Sequence, residues 1–139
     1  MTGGGKTVSV AKARARLYFA KAKEFLTEAT VALEGDRHDA AMLNAIHAAI
    51  SATDAVTAAL AGRRSADPDH QRAVDLLQQV AAGSDEVGTR VRQLRTLLAK
   101  KNAVEYESRE ATPREARDSV ERADRVVRWA REVVERAKL

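Results

Sequence analysis

The sequence predicts an all-α protein, an antiparallel four-helix bundle with one extra short helix. Three observations carry this. Apolar residues recur at steps of three and four through most of the chain, and no segment alternates convincingly as a strand. Two prolines and seven glycines in 139 residues leave room for long helices, and Gly35, Gly62 and Gly83 stand where periodic stretches end. The joins between stretches are short, which folds successive helices back on one another.

Residues 1–8 read as a flexible tail, with a single domain over 9–139. The GGGKT run at 3–7 resembles the end of a phosphate-binding loop, but it lacks the preceding strand and the earlier glycine that such a loop needs. The first helix is predicted from Val10 to Glu34, capped by Ser9. Ala11, Ala15, Tyr18, Ala22, Phe25, Ala29 and Ala32 form its apolar seam. The central helix is expected over Asp36–Arg64, with Asp36 as N-cap and Gly62 as its stop. Between Ala40 and Ala61 it holds no Lys, Arg or Glu, so its neighbours are expected to surround it. Asn44, His47, Ser51 and Asp54 lie on one stripe of it, and if buried they need partners.

A short helix over Pro68–Ala82 follows, with Asp67 as cap. The fourth helix spans Asp85–Ser108. From Gly88 to Val104 it carries Arg90, Arg92, Arg95, Lys100 and Lys101 without an acid, and reads as the strongly one-signed segment of the chain. The last helix opens on a capping box, Thr112 and Glu115 around Pro113. It repeats Ala116, Val120, Ala123, Val127, Ala130 and Val134 at four and three. Val126, Trp129 and Val133 widen its apolar side and are expected to reach another subunit.

The formal net charge is +4, with 17 Arg and 7 Lys, which permits an anionic partner without requiring one. With no cysteine, disulfides and thiolate chemistry are excluded. The chain has no apolar run able to span a membrane and no secretory signal at its start, so a cytoplasmic protein is expected. His38, His47 and His70 lack metal-ligand spacing, and no metal or cofactor is expected.

HAAISATDAVTAALAGRRS (47–65) and KKNAVEYES (100–108), set within this helix order, resemble the HEPN domain family over about residues 9–138. The resemblance implies a small helical bundle that dimerises. It also implies roles ranging from RNA-cleaving toxins to nucleotidyltransferase partners and non-catalytic binding modules. Active members carry Arg, a polar residue, three more residues and His, with two copies meeting in one site. Laid onto this chain, the candidate catalytic positions are Lys101, Asn102 and Tyr106. Lys101 keeps the charge of arginine but loses its planar fork. Tyrosine, with a pKa of about 10, is a poor proton acceptor where the family has histidine.

The expected function is therefore a dimeric HEPN-like binding or interaction module, catalytically degenerate. Its partner would be a protein of nucleotidyltransferase or antitoxin type, or a nucleotide or RNA ligand. The alternative is a metal-independent ribonuclease with a composite site across the dimer. Candidate ligand-binding residues are Asn44, His47, Ser51, Asp54 and Arg95. The stripe is expected to meet Lys101, Asn102 or Tyr106 across the bundle, either as a polar pocket or as a buried network fixing helix register.

Overall fold

The structure, a computed structural model, describes residues 6–107 and 109–139. It is helical: α1 Ala15–Glu34, α2 His38–Ala61, α3 Gln71–Val80, α4 Asp85–Tyr106 and α5 Pro113–Arg136. The long α2 touches all four other helices, as its shortage of charge predicted. Along α1, Ala15, Ala22 and Ala29 are fully buried at steps of seven. On α2, Ala41, Ala45, Ala48, Ala52 and Ala55 are buried at alternating four and three. These methyl-only seams let the two backbones approach closely, and Met42, Ile46 and Val56 fill the remaining core.

Several expectations are corrected at the element ends. Thr7 and Val8, expected in a tail, form strand β1 (Thr7–Ser9), antiparallel to β2 (Arg63–Ser65), with Val8 opposite Arg64. Gly3–Gly5 of the GGGKT run lie outside the described residues. Two strands thus exist where none was expected, because their pairing is between segments more than fifty residues apart and leaves no local periodicity. Ser9 is strand, not cap: α1 starts only at Ala15, after a 3-10 turn at Lys12–Arg14. Asp36 does not cap α2. It adopts φ +57° in the turn, while Asp39 one turn on accepts a 2.7 Å bond from the Ala111 amide and anchors the loop before α5. Gly62 does stop α2, at φ +63°. A β-carbon there would meet the Val10 carbonyl at 3.2 Å, so the junction with the strands suits only glycine.

Helix α3 begins at Gln71 rather than Pro68, because Asp67 and Asp69 each fold a side chain onto the amide two residues ahead. Helix α4 ends at Tyr106, two residues early, and is capped by Ser84. The capping box is present as predicted, with Thr112 and Glu115 bonded reciprocally. Glu115 also accepts from both guanidinium nitrogens of Arg109 (2.7 and 2.8 Å) and from Lys100 (3.3 Å). Arg109 foremost, with the Thr112 amide, holds its carboxyl well below the usual range. Its contribution to stability is thus full above the unfolded-state carboxylate pKa, declines as pH falls below that value, and is gone only once pH has passed the much lower folded-state value. Glu115→Ala is expected to cost about 1–2 kcal/mol at pH 7 and roughly half of that at pH 3, read from urea unfolding of both proteins. An equal loss at both pH values would refute this role.

Trp129 is 6% exposed and packs in the core with fully buried Val126, while it and half-buried Val133 also line a surface groove beside exposed Leu60. Most of the apolar side of α5 serves this chain's own interior. No helix is long and apolar enough to cross a membrane among the described residues.

Candidate functional site

The last turns of α4 carry the three candidate catalytic positions. They are one and four residues apart, yet Lys101, Asn102 and Tyr106 line a single recess of about 180 Å³. The other wall is the start of α3, which contributes Asp69, His70 and Gln71. Lys101 is 14% exposed and its ammonium lies 2.8 Å from Glu105, one turn along the same helix. Tyr106 projects outward, 75% exposed.

Two histidines stand by this recess. His70 lines it. Partial burial, then the charge of Lys101 and the neighbouring His47, push its pKa down; Asp69 and Glu105 oppose. His47 lies on α2 with its ring 5.4 Å from that of Phe25. Loss of water around it, then Lys101, lower its pKa as well, against Glu105. Both are neutral imidazoles at pH 7, able to accept a proton. In the sequence, His70 stands out only as a candidate metal ligand without the spacing for one. Thirty residues separate it from Lys101, and no spacing rule reaches across a loop and two helices.

The α2 stripe is not enclosed. Asn44, Ser51 and Asp54 are half-buried and His47 is exposed, because α1 and α4 flank the stripe without closing over it. Nor is it a network. Among the described residues none of the four side chains bonds to another helix, and Asn44 donates to the Ala40 carbonyl of its own helix. Asn44 and Ser51 open instead onto a groove against α1, beside Lys21, Glu24, Phe25 and Glu28. Asp54 faces Arg64 and Lys21, and burial raises its carboxyl to about 7 against their pull. Of the stripe, only His47 lies close enough to Lys101 to feel its charge.

The basic face of α4 is largely compensated. Arg95 donates to Asp75 (2.8 Å), Gln71 (2.7 Å) and Gln78 (3.0 Å), and this clamp joins α3 to α4. It is the first cause of the lowered pKa of Asp75. Arg90 pairs with Glu86 at 3.1 Å, and Lys100 with Glu115. Among the described residues no group of three His, Asp or Glu side chains is arranged to hold a metal.

The family model described as HEPN domain matches residues 15–133, most of the chain and all five helices. The chain belongs to the HEPN family. No curated protein and no solved structure matches it. Within this HEPN domain, Lys101, Asn102 and Tyr106 line the α3–α4 recess together.

Proposed function

We propose that this HEPN domain is a dimeric binding and interaction module rather than a nuclease. The observation that supports it most is the state of Lys101. Its ammonium is engaged by Glu105 at 2.8 Å, so the cation that should meet a phosphate is already neutralised. Beyond it, the proton-transfer position is a solvent-facing tyrosine. Arg90, Arg95 and Lys100 of α4 are tied up in the same way, which disfavours this helix as an RNA track. In this reading two copies meet around Tyr106 in the cytoplasm. The recess takes a nucleotide or RNA end, or a segment of a partner of nucleotidyltransferase or antitoxin type.

A second reading rests on His70 and His47. Either imidazole could take the proton of a ribose 2′-hydroxyl. That oxygen would then attack phosphorus, expelling the 5′-oxygen, which takes a proton from the Lys101 ammonium or the Tyr106 hydroxyl. A 2′,3′-cyclic phosphate and a 5′-hydroxyl would remain, without metal.

One experiment separates the two. Purified protein is incubated with total RNA in chelator, and its mass is measured by sedimentation. The module reading expects intact RNA and a particle of twice 15.1 kDa. Cleavage that disappears in both His70→Ala and Tyr106→Phe would replace it with the ribonuclease reading. A strictly monomeric particle would overturn the dimer.

A further inference from the structure

Folding reveals a second basic surface, which shares no residue with the α3–α4 recess. Residues 1–23 contain six cations and no acid; the first acid is Glu24. The β1–β2 pairing then brings Arg63 and Arg64 against this segment. Among the described residues, none of these cations makes an ion pair within 4.0 Å; the pairs lie elsewhere in the fold.

What holds several of them is aromatic. Lys23 and Arg131 both lie over the Phe19 ring, at 5.6 and 5.8 Å from its centre, and Arg64 lies over Tyr18 at 5.8 Å. A carboxylate would position a cation by cancelling its charge. An aromatic face positions it and leaves the charge available. Phe19 and Tyr18 therefore preorganise three cations from α1, β2 and α5. Lys23 and Arg131 line a groove of about 550 Å³ between α1 and α5, with Thr27, Arg128 and Asp124. Arg16, one turn before Phe19 on the same side of α1, continues it.

Glu24 and Glu28 stand on the Asn44–Ser51 side of Lys23 rather than in the α1–α5 groove, and three other acids nearby subtract little. Asp124 is paired with Arg128 at 3.0 Å, and Asp67 accepts from the Lys6 backbone amide. Asp54, which faces Arg64 and Lys21, has its carboxyl raised to about 7, so near neutrality it offers only part of a charge.

We propose that the α1–α5 groove and the basic end of α1 bind the phosphodiester backbone of single-stranded nucleic acid, Lys23, Arg131 and Arg16 contacting successive phosphates. A recess between two helices admits a strand, whereas a flat layer of lipid headgroups would meet only its rim. The surface is separate from the Lys101 recess, and the proposal stands whether or not that recess cleaves RNA.

The test is fluorescence anisotropy with labelled oligo-dT and oligo-U of about twelve nucleotides, in chelator. The DNA probe lacks the 2′-hydroxyl, so cleavage cannot hide binding to it. Binding is expected to weaken at least tenfold between about 50 and 200 mM salt. Lys23→Ala with Arg131→Ala should weaken it about tenfold or more and flatten the salt slope by about 1.4, or about 0.7 for each contact on a single strand. Arg16→Ser, on an exposed side chain that leaves the fold intact, should weaken it about threefold. Arg92→Ala on α4 should stay within about twofold. Absence of binding at low salt would overturn the proposal. So would equal affinity in the double variant and Arg16→Ser, or binding to phosphatidylserine vesicles that the oligonucleotides do not displace.

Discussion

Replacing Ile46 with alanine is expected to lower the free energy of unfolding by about 3–4 kcal/mol, a large part of the total for a domain of this size. Ile46 is 0% exposed in the middle of α2, between Ala45 and Ala49, with Met42 one turn before it. Its neighbours are mostly methyl groups on rigid helix backbones. Alanine methyls cannot swing into a vacated space, and Met42 can fill only part of it, so a cavity remains and its cost adds to the lost transfer energy. Val31→Ala on α1, at 48% exposure, is the matched control and should cost less than about 0.5 kcal/mol. Urea unfolding of the three proteins decides it. A loss below about 1 kcal/mol at Ile46 would mean that α2 is not enclosed as described.

The same alanine packing explains what could be read in the sequence. Ala15, Ala22 and Ala29 on α1 and the four-and-three alanines of α2 announce their faces through spacing alone, and the five helices follow. Caps within a few residues of their helix were legible when the side chain had one available use, as at Thr112 and Glu115. They misled at Asp36 and Ser9, where a positive-φ turn and a strand pairing claimed the residue instead. The site was legible only along one helix. Lys101, Asn102 and Tyr106 share a turn-scale pattern, whereas His70 enters the recess through the α3–α4 packing. The most one-signed segment was misjudged. Residues 1–23, with six cations and no acid, are more so than Gly88–Val104. On α4, the Arg95–Asp75 and Lys100–Glu115 pairs come from tertiary packing, whereas Arg90–Glu86 and Lys101–Glu105 are one-turn pairs whose acids lie just outside Gly88–Val104.

Replacing Asp54 with asparagine is expected to stabilise the protein, and to do so only as pH rises. The carboxyl sits at about 7 in the fold against 3.8 ordinarily, chiefly because burial strips water from its charged form, and Arg64 and Lys21 only partly offset this. A raised pKa means that the folded chain holds the proton more tightly than the unfolded one. The associated stability is fully present below the unfolded value and is lost as pH rises to about 7. Asparagine mimics the protonated acid at every pH. The two proteins should therefore differ by less than about 1 kcal/mol at pH 4, diverge through the interval, and differ by about 3–4 kcal/mol above pH 7. Thermal melts of both at pH 4, 6 and 8 measure the divergence. A constant difference would show that Asp54 is ionised throughout, held by Arg64 and Lys21 as a structural ion pair. A divergence would show that those two cations keep most of their charge for the solvent side, where the basic surface of α1 needs it.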